Sequence, residues 1–141
     1  MSELQKDFPL SKQAAAGIVG NVSWECGDFK TLQEIKPTVK GSKGGYGWCQ
    51  WTGPRRREFE KWAKIEGLEL SSREANYGFL KHELTHTSEK RVIDRLKGVT
   101  SVTKATEIFC NTFLRPGIPH LEKRVKRAHD YFEAGEDENV A

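Results

Sequence analysis

Apolar positions recur with helical spacing along most of the chain. Ala15, Ile18, Val19 and Val22 fall at i, i+3, i+4 and i+7 within a run of good helix formers, Lys12-Gln13-Ala14-Ala15-Ala16. Ser11 stands ahead of the run as an N-cap, and Gly27 supplies the stop. Thr52-Gly53-Pro54 opens a second helix with Pro54 at its first position. Phe59, Trp62 and Ala63 form its apolar face and Gly67 ends it. Ser71-Ser72-Arg73-Glu74 has the form of a capping box, before a helix that carries Tyr77, Leu80 and Leu84. Thr87-Ser88 caps a short helix with Val92, Ile93 and Leu96 inward, ending at Gly98. Thr103 caps another, with Ala105, Ile108, Phe109 and Phe113 inward. Arg115-Pro116-Gly117-Ile118-Pro119 breaks the pattern. The last helix then runs from about His120 to Ala134, with Leu121, Val125, Ala128 and Phe132 inward and Gly135 as its stop. Residues 1–10 read as a short lead-in and 136–141 as a frayed acidic tail.

One stretch departs from this pattern. Asp28 to Lys43 is polar, holds Pro37 and leads into Gly41-Ser42-Lys43-Gly44-Gly45. It reads as a long loop or a small β element between the first two predicted helices, and long loops in compact domains often bind ligands. Tyr46 to Trp51 alternates imperfectly, as a strand or an irregular turn would. The expected fold is therefore mostly α, a single helical domain spanning residues 1–141, which is long enough for a real core. Gly17 and Gly20 sit inside the first helix although glycine costs about 1 kcal/mol there. Close approach of another backbone would explain them; mere tolerance is the alternative.

The candidate chemistry gathers around that irregular stretch. Continuing the first helix's apolar stripe by one turn gives Glu25, three residues after Val22 and seven after Ile18. A carboxyl there is partly buried and lies at the negative end of a helix, and both favour the neutral, proton-donating form. The alternative is a solvated terminal glutamate. Three of the four tryptophans, Trp24, Trp48 and Trp51, lie between Gly17 and Gly53. Tyr46, Trp48 and Trp51 are candidates to stack on sugar rings, with the amide of Gln50 beside them; at least one of the three rings belongs to the core instead. Arg55, in a first turn where cations oppose the helix dipole, is the candidate to reach an anionic substrate group. Glu83 falls between Leu80 and Leu84 on its helix, either a second functional carboxylate or a core-edge glutamate paired with an arginine. A carboxylic acid beside an aromatic, amide-lined cleft is what cleavage of a polysaccharide requires.

Composition narrows the classes without choosing among acidic partners. A net charge of +3 is too weak to argue for nucleic-acid binding on its own. Three cysteines, Cys26, Cys49 and Cys110, form no even disulfide framework, and no local signature marks one as a nucleophile. No apolar run is long enough to span a membrane, so no stable membrane insertion is expected. His82 and His86 at i, i+4 lack a third ligand with convincing spacing, so neither metal nor cofactor is expected.

The run Ala14-Ala15-Ala16-Gly17-Ile18-Val19-Gly20-Asn21, then Glu25-Cys26-Gly27, then Gly45-Tyr46-Gly47-Trp48-Cys49-Gln50-Trp51-Thr52-Gly53-Pro54-Arg55-Arg56 resembles the phage tail lysozyme family, peptidoglycan hydrolases of phage tails and endolysins. Phe79-Leu80-Lys81-His82-Glu83-Leu84 and Arg115-Pro116-Gly117 continue it more weakly. A glutamate at a helix end followed by G-x-x-Q is also similar, more distantly, to goose-type lysozymes and lytic transglycosylases. The resemblance implies a lysozyme-like helical fold, Glu25 as catalytic acid, and Gln50 with its neighbours lining the cleft. Serine usually follows the glutamate; here it is Cys26, a poorer hydrogen-bond donor. The implied reaction is cleavage of the glycosidic bond after N-acetylmuramic acid by a monomer acting on the peptidoglycan glycan strand. Asp28, Glu34 and Glu83 are the candidate second carboxylates. An intramolecular route to an anhydromuramyl product, as in lytic transglycosylases, would need none, and a non-catalytic wall-binding module is the rival class. The start MSELQKDFPL has no apolar core, so the enzyme is expected in the host cytoplasm before lysis, acting on periplasmic peptidoglycan, with a virion-associated role as the alternative.

Overall fold

Ser11 begins the central element as expected: its hydroxyl accepts from the Ala14 N–H at 3.0 Å and so fills one unpaired donor of α2, Lys12–Glu25. The same hydroxyl donates to the Val99 carbonyl, tying the start of α2 to the segment before the sixth helix. At the other end the Cys26 N–H closes on the Val22 carbonyl, and Gly27 takes the left-handed conformation, φ 55°. The computed structural model describes residues 1–27 and 45–140, with side chains through residue 135.

Around α2 stand α1 (Ser2–Asp7), α3 (Gly53–Glu66), α4 (Arg73–His86), α5 (Arg91–Leu96), α6 (Val102–Phe109) and α7 (Leu121–Val140). The domain is mostly α. A 3₁₀ turn, Ser88–Lys90, leads into α5, and a π-helical segment, Cys110–Leu114, continues α6. Among the described residues the β structure is one antiparallel bridge, Tyr46 with Trp51.

Most expected signals act where they were read. Pro54 lies at the start of α3, and Gly67 ends it at φ 70°. The Ser72 hydroxyl caps α4 on the Ala75 N–H, and Thr87 caps the 3₁₀ turn on the Glu89 N–H. For α6 the cap is Ser101, accepting from Lys104, rather than Thr103. Residues 1–10 are not a bare lead-in: α1 forms there because Leu4, Phe8 and Leu10 are buried in the common core. Nor does Gly135 stop α7. It lies inside a helix that runs to Val140, where the Met1 side chain packs against it.

The two glycines of α2 explain how the core closes. A Cβ at Gly17 would lie 2.8 Å from the Ala105 Cβ and from the Thr106 backbone nitrogen of α6. At Gly20 it would lie 2.5 Å from the Ala128 backbone nitrogen of α7. Two helices therefore approach α2 backbone to backbone, and neither can retreat as a flexible side chain would. Gly20→Ala sets a gain of about 1 kcal/mol in helix preference against an overpacking cost at or above the usual 1–3 kcal/mol. We expect a net loss near 2 kcal/mol in thermal or denaturant unfolding; a raised melting temperature would mean that the α2–α7 contact is loose.

α1 is pinned to α4 by a titratable pair. Tyr77 Oη donates to Asp7 Oδ2 at 2.6 Å, and Lys81 Nζ lies 3.5 Å from Asp7 Oδ1. The tyrosine hydrogen bond, with Lys81 assisting, holds the Asp7 carboxyl below its ordinary range; burial and Asp7 push the Tyr77 phenol up. Asp7 thus adds stability above its unfolded value, lost as pH falls through the depressed one. Tyr77 adds stability below about pH 10, lost as pH rises through its elevated value. Tyr77→Phe should flatten both the acid and the alkaline limbs of a stability–pH profile.

Candidate active site

Glu25 is the last residue of α2, its side chain 17% exposed. Its partner is Arg124 of α7, whose Nη2 donates to Glu25 Oε1 at 2.7 Å. Arg124 is a fully buried arginine, at 1% exposure, and each arm of its guanidinium is used. Nε donates to the Pro119 carbonyl and Nη1 approaches Asn21 Oδ1 at 3.4 Å. Asn21, one turn before Glu25 and also buried, donates through Nδ2 to the carbonyls of Gly17 and Thr106 at 2.9 and 3.0 Å. The carboxylate therefore rests on a polar knot joining α2, α6 and α7. The cation stands against the negative potential of the α2 terminus. Among the described residues no group donates to Oε2, and the side chain keeps some exposure.

Trp24, beside Glu25, faces the same helix. Its ring lies 5.4 Å from the His120 ring, 5.3 Å from Lys123 Nζ and 5.1 Å from the Arg127 guanidinium carbon. Arg127 also donates to the Ser23 carbonyl and hydroxyl. One face of α7 thus sets a basic, aromatic rim next to the acid.

The Tyr46–Trp51 segment is a tight turn, not a strand. The Tyr46 and Trp51 backbones exchange hydrogen bonds of 3.0 and 2.9 Å, and the Gln50 N–H closes on the Gly47 carbonyl. Gly47 has φ 86°, and a Cβ there would strike Asn76 Oδ1 and the Trp51 ring. Asn76 moors the turn: it accepts from the Trp48 N–H at 2.9 Å and donates to the Leu70 and Ser72 carbonyls.

The predicted cleft residues divide. Trp51 is core, 1% exposed, packed on Phe59 and Phe79, because its indole N–H finds a buried acceptor in Glu83 Oε1 at 2.6 Å. Arg55 turns inward for the same reason: Nε and Nη2 donate to Glu83 at 2.9 and 2.8 Å, and Nη1 donates to the Phe113 carbonyl. That pairing holds the Arg55 guanidinium charged against the cost of burial. Trp51 is thus part of the core, and Arg55, though partly exposed, has its guanidinium engaged by Glu83 and the Phe113 carbonyl. Glu83, 4% exposed, is the arginine-paired core-edge glutamate. Trp48 and Tyr46 remain half-buried, Tyr46 with the Arg56 guanidinium carbon 5.2 Å from its ring centre. Gln50 has φ 49°, and its Nε2 donates to the Gly47 carbonyl. Asp28 and Glu34 lie outside the described residues.

Cys49, in the turn, lies within electrostatic reach of Glu83, Arg55, Cys26 and Glu25, which links the turn to the acid. Burial, then Glu83, pushes its thiol well up, so it stays protonated rather than acting as a nucleophile. Cys26, in the usual serine position, is fully buried and its Sγ donates to the Val22 carbonyl at 3.1 Å. Among the described residues no group of three potential metal ligands comes together, and no helix is long and apolar enough to cross a membrane.

Arg124, Asn21 and Asn76 were not read from the sequence. The signal for Arg124 was its position one turn before Ala128: the small residue marks the face of α7 that meets Gly20, and Arg124 shares that face.

The chain is thus a small helical domain whose central helix ends in a salt-bridged, partly exposed glutamate, with an aromatic turn nearby. The chain belongs to the phage tail lysozyme family, whose pattern it matches over residues 2–134. It is thus a phage enzyme of the peptidoglycan-degrading, lysozyme-like kind. No curated protein matches it.

Proposed function

We propose that the protein cleaves the glycosidic bond between N-acetylmuramic acid and N-acetylglucosamine in bacterial peptidoglycan, with Glu25 as general acid. The observation that carries this reading is the carboxyl of Glu25, at the end of the central helix, fixed through Oε1 by a buried arginine and still partly exposed. In this scheme Glu25 passes a proton to the leaving oxygen as an oxocarbenium-like transition state forms. Arg124 orients the carboxyl, and Trp48, Tyr46 and Gln50 of the neighbouring turn contact the glycan.

The second step has two forms. A hydrolase needs a base about 6.5–9.5 Å from the acid, or a nucleophile at about 5–5.5 Å. Of the candidate second carboxylates, Glu83 has both oxygens engaged by Arg55 and Trp51, which leaves Asp28, Glu34 or a route that uses none. On that last route the muramic acid 6-hydroxyl would attack within the substrate and leave an anhydromuramyl end. Incubation with purified peptidoglycan, followed by mass spectrometry of the soluble products, tests the scheme. Reducing muropeptides indicate a muramidase, and anhydromuramyl ends a lytic transglycosylase. No release where a known lysozyme is active would overturn both and favour a wall-binding module.

A further inference from the structure

Asn21 stands one turn before Glu25 on α2, about 6 Å of helix rise, so the amide and the acid leave the same side of one rigid element. Its side chain is fully buried. Nδ2 donates to the Gly17 carbonyl of its own helix and to the Thr106 carbonyl of α6, at 2.9 and 3.0 Å. Those two acceptors use both amide hydrogens and fix which way the amide is turned. A flipped amide would set its oxygen against two carbonyl oxygens and its hydrogens against a cation. Oδ1 is therefore held toward Nη1 of Arg124, at 3.4 Å. The guanidinium of Arg124 is planar, and two of its three nitrogens are taken, Nε by the Pro119 carbonyl and Nη1 by Asn21. The direction left for Nη2 is the one in which it meets Glu25 Oε1 at 2.7 Å.

We propose that Asn21 is a positioning residue for the reaction: through Arg124 it sets the angle at which the Glu25 carboxyl faces the leaving oxygen. This rests on the reading of Glu25 as the general acid. Asn21 and the Arg124 side chain are too buried to meet a glycan, so their effect on the reaction passes through Glu25. The 3.4 Å contact is long for a hydrogen bond and adds little strength. Its effect is directional: it bars the tilt of the guanidinium that would carry Nη2 away from Oε1. Direction matters because a misplacement of about 1 Å can cost on the order of 10²-fold in rate. A purely structural role would use Nδ2 alone, tying α2 to α6. The two roles use opposite ends of the amide, so they can be separated.

The test is a double-mutant cycle on peptidoglycan solubilisation, with Asn21→Ser and Arg124→Lys made singly and together. Serine can still donate to the carbonyl four residues back, at Gly17, but its oxygen is too short to reach Arg124. Asn21→Ser should lower kcat roughly tenfold with KM little changed. In the Arg124→Lys background the planar fork is gone, and the same change should cost less than about twofold, because the effect has lost its carrier. Equal losses in both backgrounds, or a kcat in Asn21→Ser within about twofold of wild type, would overturn the positioning role and leave the Glu25 reading intact. No release by the wild type, where a known lysozyme is active, would sink the Glu25 reading and this role with it. Thermal melts set a temperature at which every protein compared is folded. If Arg124→Lys does not fold, nitrogen NMR of the arginine side chains in Asn21→Ser decides. The two Arg124 Nη signals, distinct in the wild type, should move toward coalescence as the guanidinium loses an anchor; unchanged Arg124 signals would overturn the proposal.

Discussion

Glu25→Gln is expected to slow peptidoglycan solubilisation about 10²- to 10⁴-fold, the usual weight of a positioned general acid. The substitution keeps the size of the side chain and an oxygen that Arg124 Nη2 can still meet, but it removes the transferable proton. The loss should therefore fall on kcat, with KM little changed, because ground-state contacts to the glycan survive. Some stability goes too. Arg124 is buried, and a neutral amide leaves its charge less well compensated, at a cost of about 1–3 kcal/mol. Rates must be compared below the melting point of both proteins. A variant that retains more than a tenth of the wild-type rate would remove Glu25 from the mechanism.

The parts of this design that were legible in the sequence are local ones. Ser11, the Ala15–Val22 stripe and Gly27 bound α2 because caps and periodicity act within a few residues, and they carry Glu25 to its place at the helix end. Gly17 and Gly20 announced a close approach because glycine is otherwise unfavourable inside a helix; which helices approach was not written beside them. What escaped was set at long range. Trp51 looked like a cleft aromatic because a tryptophan in a glycine-rich turn has no local reason to be core. Its reason is an acceptor 32 residues away on α4. Arg55 looked like a ligand for anions because its helix end repels it, yet the anion it meets is the protein's own Glu83. Arg124 was passed over because charged residues are assigned to the surface by default, and only the packing of Ala128 on Gly20 turns that face of α7 inward. In α7 the inward stripe is consequently shifted: Leu121, Val125 and Phe132 are only half-buried, while Arg124 and Ala128 are fully so. The short α1 lacked the length for a periodic signal and is held by the burial of Leu4, with Phe8 and Leu10 just beyond it.

Glu83→Ala is the substitution expected to cost most in stability. Glu83 accepts three hydrogen bonds, from Trp51 Nε1 and from Nε and Nη2 of Arg55, at 2.6, 2.9 and 2.8 Å. Through them it joins α4, the aromatic turn and the start of α3, and Arg55 extends the link to the Phe113 carbonyl, with its guanidinium carbon 4.6 Å from the Phe113 ring centre. Removing the acid leaves an arginine charge and an indole donor in the interior, which costs about 3–5 kcal/mol. For a chain of this size that corresponds to a fall in melting temperature of roughly 10–15 °C. The double variant Arg55→Met/Glu83→Leu should recover part of the loss, since neither charge is then stranded. The catalytic consequence separates the two roles the sequence left open. If Glu83 serves as the arginine's partner, activity per folded molecule in Glu83→Ala stays far above the level of Glu25→Gln. A 10²-fold or greater fall in kcat at a temperature where the variant is fully folded would instead make Glu83 the second carboxylate, its ion pair with Arg55 a resting arrangement that the glycan must open.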